Sequence, residues 1–205
     1  MSAAVALIDY GAGNLQSVAN ALKETKYEHV AVTADADIVV NAERIILPGV
    51  GAFAHCMGAL GAIPGMIEAM EIAVLERGAP FLGICVGMQL MAGEGCEHGV
   101  TPGLGWIAGS VAAIAPAPGI KVPHMGWNHV DVSGLHPVLK AGEAYFLHGY
   151  AFAADDPEQV LALTDHGGPI VAAVGRDNMI GVQFHPEKSQ AYGLATLERF
   201  LAWRP

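Results

Sequence analysis

The sequence predicts an α/β fold: a mainly parallel central sheet flanked by helices, with antiparallel hairpins added in the C-terminal half. Two observations carry the first part of that expectation. Short apolar runs such as Ala4–Ile8 and Arg44–Leu47 read as strands buried on both faces, and segments of helical periodicity lie between them. A third observation carries the hairpins. After about Met91 the helical periodicity fades, and short strand-like runs separated by turn residues replace it.

Taken in order, the 205 residues are enough for one core without covalent staples, and residues 1–205 read as a single domain. The first strand runs into the loop Asp9–Asn14. Leu15, Val18, Ala19 and Leu22 then mark a helix from Asn14 to about Lys26, with Asn14 at the N-cap position. The glycines of that loop complete neither a dinucleotide fingerprint nor a phosphate-binding P-loop. His29–Thr33 and Arg44–Leu47 are the next strands. The latter enters Pro48-Gly49-Val50-Gly51-Ala52-Phe53, where glycines free the backbone to aim amides at a ligand, although the same residues also spell an ordinary turn. Ile63, Ile67, Met70 and Val74 mark a helix from Ile63 to Arg77, with Pro64 in its first turn and Gly78 at its end. Strand-like runs follow at Val111–Ile114, Val130–Val132, Ala144–Leu147, Val160–Thr164, Ile170–Val174 and Met179–Val182. A helix over Ala191–Trp203 closes the chain.

Composition excludes several classes of function. The formal charge is −10 and the 10 Lys and Arg are scattered singly, so no basic patch is available to neutralise phosphates and no nucleic-acid partner is expected. Three cysteines without C-x-x-C spacing indicate neither a disulfide framework nor a zinc site. Cys96 and His98 are two loop ligands without partners, and no metal is expected. No apolar run reaches membrane-spanning length and no leader is apparent, so the reading is cytoplasmic, with no membrane association. Hydrophobic residues at 53% against 15% charged imply a large core or a face that expects a partner.

The chemistry concentrates in two stretches. In Gly83-Ile84-Cys85-Val86-Gly87 a cysteine sits where an apolar strand turns sharply into a helix. Glycines two residues either side are what such a turn requires, because a Cβ there would clash. A helix N-terminus favours thiolate, and the Val86 amide is placed to donate to an oxyanion. The competing reading is a buried core cysteine. In His185-Pro186-Glu187, at the end of the last strand, a base stands beside a carboxylate. In an extended turn residues i and i+2 point the same way, which would let Glu187 orient the imidazole. The competing reading is a surface turn, and no spacing rule brings His185 to Cys85.

Together, Gly83–Leu90 and His185-Pro186-Glu187 resemble the signature of the class I glutamine amidotransferases. Asp9–Leu15, Leu47–Phe53, Pro123–Asn128 and Gln183–Gln190 resemble one branch of that family, the glutaminase subunits that supply ammonia to a cyclase in histidine biosynthesis. The resemblance spans essentially the whole chain. It implies a flavodoxin-like fold, and a glutamyl thioester formed on Cys85 with His185 as base and acid and Glu187 as its orienting group. It implies backbone amides of Val50 and Val86 as the oxyanion hole, and Gly51, Gln89 and Glu97 around the glutamine. No cofactor is implied. The partner would be a (β/α)₈ barrel that binds a ribonucleotide and makes imidazole glycerol phosphate. Asn14, His124, Met125, Trp127 and Lys188 match positions near that interface. Where this branch usually carries Ser or Thr, the chain has Gly149. Three other readings stay open: a glutaminase of another class I amidotransferase, a non-catalytic binding module, and a free-standing cysteine hydrolase.

Overall fold

The structure, a computed structural model, describes residues 4–27, 29–117 and 119–205. It opens with β1 (Val5–Ile8), α1 (Leu15–Glu24), β2 (Val30–Thr33), α2 (Ala36–Val40), β3 (Arg44–Gly49), α3 (Phe53–Gly61) and α4 (Met66–Glu71). A π-helical turn, Ile72–Glu76, extends α4. Next, β4 (Phe81–Cys85) passes directly into α5 (Val86–Gln89). Strands dominate from there: β5 (Glu94–Gly95), β6 (Thr101–Pro102), β7 (Gly109–Ala113), β8 (His124–Val132), β9 (Gly142–His148), β10 (Tyr150–Ala154), β11 (Val160–Asp165), β12 (Pro169–Arg176) and β13 (Met179–Val182). The last element is α6 (Gln190–Ala202).

Nine strands form the main sheet in the order β2-β1-β3-β4-β13-β12-β11-β8-β9. The first five are parallel and the rest antiparallel, so the expected mixture is present in one continuous sheet. A smaller sheet, β10-β7-β5-β6, lies beside it. The apolar runs are strands because both their faces are covered: β1, β3, β4 and β13 are buried along their whole length. Helix α1 packs with α6, while α2 and α3 pack with α4. The chain steps from β1 outward to β2, then back across to β3 and β4. Ligands in such sheets bind where the winding reverses, at the carboxyl ends of the strands. The loops after β1 and β3 and the turn after β4 all stand at that edge.

Several expectations on individual elements need correction. The second long helix starts at Met66, not Ile63; Pro64 lies in the preceding turn, and Gly65 at φ +74° occupies the N-cap position. Asn14 does occupy the N-cap position of α1, but its side chain makes no capping bond. Neither α2 nor α3 is anticipated by periodicity, since α3 (Phe-Ala-His-Cys-Met-Gly-Ala-Leu-Gly) is small or apolar at nearly every position. β10 is missed as well. Among the described residues no single helix is long and apolar enough to cross a membrane.

Candidate active site

The turn from β4 into α5 holds Cys85 at φ 54°, ψ −111°, a conformation that strains any residue with a Cβ. The flanking glycines make it possible. A Cβ on Gly83 would lie 2.6 Å from the Gly87 carbonyl oxygen, as the clash argument requires, whereas one on Gly87 would run into the Leu47 carbonyl of β3. The α5 backbone thus rests almost on the sheet. Because α5 lasts a single turn, the expected help from a helix dipole reduces to a few free local N–H groups.

β13 runs parallel beside β4 with Val182 opposite Ile84, so the chain just beyond β13 passes Cys85. The Pro186–Lys188 turn is 3₁₀-helical rather than extended, and it brings His185 and Glu187 together: the imidazole Nδ1 lies 2.8 Å from Glu187 Oε1. Both side chains are buried, at 2% and 1% exposure. The Ser189 hydroxyl donates to the His185 carbonyl at 2.7 Å and accepts from the Tyr145 amide at 2.9 Å, tying this turn to β9. Burial pulls the His185 pKa down, but hydrogen bonds to Cys85 and Glu187, with the charges of both, push it up to about 10. His185 therefore keeps its proton at neutral pH, and a cationic ring beside a thiol favours thiolate.

A cavity of about 280 Å³ opens in front of Cys85, walled by Val50, Gly51, Val86, Gln89, Glu97 and Gly149 among others. Gly51 adopts φ +104° there, which only glycine takes without strain. Glu97 reaches the wall through a cap: its Oε2 accepts from the Phe53 amide at the start of α3 at 2.8 Å. The Cys56 thiol donates to the Val50 carbonyl at 3.4 Å, and burial pushes that thiol's pKa up. Gln89 donates through Nε2 to the Tyr150 carbonyl at 3.2 Å and to Gln183 Oε1 at 3.0 Å.

The residues expected at a partner face divide in two. Met125 and Trp127 are 66% and 48% exposed on the outer side of β8, next to exposed Leu147 and Val122. Lys188 stands on the cavity rim, and Asn14 begins α1 beside Gly13, which abuts Pro48. His124 is different: it is 3% exposed and turned inward, stacked between Phe146 and His166 and hydrogen-bonded to His148 at 3.1 Å. Alternation along β8 puts it on the face opposite Met125. Burial, then the neighbouring His148 and His166, pull its pKa down to about 4. Among the described residues no cluster of metal-binding side chains occurs.

Sequence reasoning missed Gln183, which is fully buried with its Nε2 3.6 Å from Cys85 Sγ, and the Tyr150 carbonyl. A polar residue directly following the apolar run Met179–Val182 was the available signal for Gln183; a backbone carbonyl has none.

A cysteine on a strained strand-to-helix turn, faced by a buried histidine–carboxylate pair from the end of the neighbouring parallel strand, is the arrangement that nucleophilic acyl transfer requires. The profile for glutamine amidotransferase class-I matches residues 6–202, and the chain belongs to that family. Closer relatives narrow this to the HisH family. A Zymomonas mobilis subsp. mobilis protein named imidazole glycerol phosphate synthase subunit HisH is 62% identical over 100% of this chain and 98% of its own. The Rhodospirillum rubrum protein of the same name is 51% identical over 98% and 99%. Solved structures agree on the fold. One described as a glutamine amidotransferase superposes with a TM-score of 0.75 at 19% identity, covering 97% of this chain and 98% of that one. PurLQS from Thermotoga maritima gives 0.71 at 19% identity, covering 98% and 99%.

Proposed function

We propose that this chain is the glutaminase subunit of an imidazole glycerol phosphate synthase, acting in the cytoplasm on glutamine and passing the ammonia to a cyclase partner with a (β/α)₈ barrel. The observation that carries the reading is the meeting of Cys85 and His185 in one cavity, with the buried Glu187 carboxylate hydrogen-bonded behind the imidazole and exposed Leu147 in the cavity wall. The HisH relatives support the pathway and the partner.

The chemistry follows from the geometry. Cys85 sulfur, having given its proton to His185, attacks the side-chain carboxamide carbon of glutamine. The carbonyl oxygen becomes an oxyanion held by the amides of Val86 and Val50. His185 returns the proton to the departing nitrogen, the C–N bond breaks, and ammonia leaves a γ-glutamyl thioester. Water then gives a proton to His185 and attacks the thioester. The C–S bond breaks, leaving glutamate and restoring the sulfur–imidazolium pair. Glu187 holds Nδ1–H throughout, so Nε2 is the nitrogen that handles the proton. In open water ammonia would be captured as ammonium and lose its nucleophilicity. Met125, Trp127 and Leu147 form an apolar surface beside the cavity that a partner can cover, and Lys188 adds a charge at the rim.

The test is glutamate production from glutamine by the chain alone and with a cyclase barrel and its ribonucleotide ligand, with Cys85→Ala alongside. Activity should appear chiefly with the liganded partner and vanish in the variant, a loss of about four orders of magnitude or more. Equal activity of the isolated chain would overturn the partner-gated part of the proposal. No hydrolysis under either condition, with a cyclase shown to bind this chain, would overturn the glutaminase itself.

A further inference from the structure

We infer that Gln183 is a positioning residue for the Cys85 thiolate, directing an N–H at the sulfur while forcing Gln89 to present an oxygen to the glutamine site. The inference rests on the glutaminase reading for its catalytic meaning, but not for its geometry.

The direction of every hydrogen bond in this cluster is set by one atom. The Tyr150 carbonyl can only accept, and Gln89 approaches it at 3.2 Å, so the Gln89 carboxamide must turn its nitrogen that way. The same nitrogen meets Gln183 at 3.0 Å, so Gln183 must offer its oxygen there. Its nitrogen is then left facing Cys85 Sγ at 3.6 Å. Reversing either amide would set two donors or two acceptors against each other, and Gln183 is fully buried, where such a mismatch is costly. Two consequences follow. The sulfur receives a donor that interacts more strongly with thiolate than with thiol. Gln89 spends both hydrogens of its amide on protein acceptors, so its free atom at the cavity is an oxygen, which selects an N–H-bearing group on the bound glutamine.

The experiment follows alkylation of Cys85 by iodoacetamide, in which the thiolate displaces iodide, quantified on the Cys85 peptide by mass spectrometry across the titration range of a thiol. The proteins are wild type, Gln183→Met and Gln183→Glu. Met removes the donor; Glu keeps an acceptor for Gln89 but turns a carboxylate oxygen toward the sulfur. The pH of half-maximal alkylation should rise by about one unit in the Met variant, and further in the Glu variant. With the liganded partner present, Met should raise KM and lower kcat, whereas Glu should act mainly on kcat. An unshifted alkylation profile in either variant, with near-ultraviolet circular dichroism like wild type, overturns the inference. A measurement on unmutated protein guards against variants that fail to fold: the Gln183 side-chain amide resonances must move when Cys85 is alkylated, and resonances that stay in place overturn the inference equally. Alkylation uses no glutamine, so absence of glutaminase activity would defeat the functional reading while leaving this test intact.

Discussion

Two buried histidine sites sit within a few residues of the same cavity and carry opposite charge behaviour. His185 is 2% exposed and holds its proton to about pH 10; His148 is 6% exposed, and burial pulls it down to about 4, against a hydrogen bond to the Tyr150 carbonyl that favours the proton. His124, its hydrogen-bonded neighbour, behaves like His148. Burial disfavours the cation in all three, so burial does not separate them. Their company does: His185 lies beside a thiol and a carboxylate, whereas His124 has His148 and His166 beside it, and His148 has His166 and His185. The imidazole that keeps its proton and the two that lose it are therefore distinguished by the sign of the nearest ionisable groups.

The comparison can be broken first by Glu187→Gln, which keeps a hydrogen-bonding group near Nδ1 but removes its charge. Glutamine hydrolysis by the partnered enzyme should fall by about two to four orders of magnitude. Stability should respond as well. In wild type, between about pH 6.5, where a histidine in the unfolded chain releases its proton, and about pH 10, the folded state binds the extra proton and stability falls as pH rises. Urea midpoints measured through that window should decline less steeply in Glu187→Gln; an unchanged slope would remove Glu187 as a cause of the raised pKa.

The acid side tests the other member of the pair. His124 and His148 stay neutral down to about pH 4 when folded and protonate near 6.5 when unfolded, so stability should fall as pH drops through that interval. His124→Gln removes one of the two titrating rings, and the same urea series should show a shallower acid arm with the alkaline arm untouched. The smallest effect is expected from Gly149→Ser. Gly149 lines the cavity between His148 and Tyr150, and an added Cβ would meet only Val122 at an ordinary 3.7 Å. A hydroxyl there should lower KM for glutamine by about two- to fivefold, the worth of one modest hydrogen bond, with both pH arms as in wild type. A raised KM would show that the cavity has no room for the added side chain.

What the chain disclosed in its letters was local. The Gly83–Gly87 spacing announced the turn at Cys85, and the uninterrupted apolar runs announced strands covered on both faces, because each signal lies within a handful of residues. His185 and Glu187 were visible as a pair, although the turn joining them proved 3₁₀-helical. The rest depended on distance along the chain. Glu97 meets the Phe53 amide across 44 positions, and Gln183 meets Cys85 across 98. The inward turn of His124 follows from the strand-face alternation of β8, while its neighbours Met125 and Trp127 face outward, one on either side of Gly126. The helix α3 was hidden because a segment apolar on every side has no stripe to detect.

The Tyr150 carbonyl has a consequence for how this site can vary. It accepts from Gln89 at 3.2 Å and from His148 at 2.8 Å, one donor for each lone pair. Every amino acid carries that carbonyl, so replacing the tyrosine alters a phenol ring and leaves the acceptor in place. Substitution can remove a donor from this cluster, but cannot reverse its direction from position 150. Only a change in the path of β10 could, through an inserted or deleted residue. The arrangement around the sulfur is thus tolerant of point mutation at its anchor and sensitive to length, and natural variation at position 150 should be permissive in residue type but not in spacing from His148.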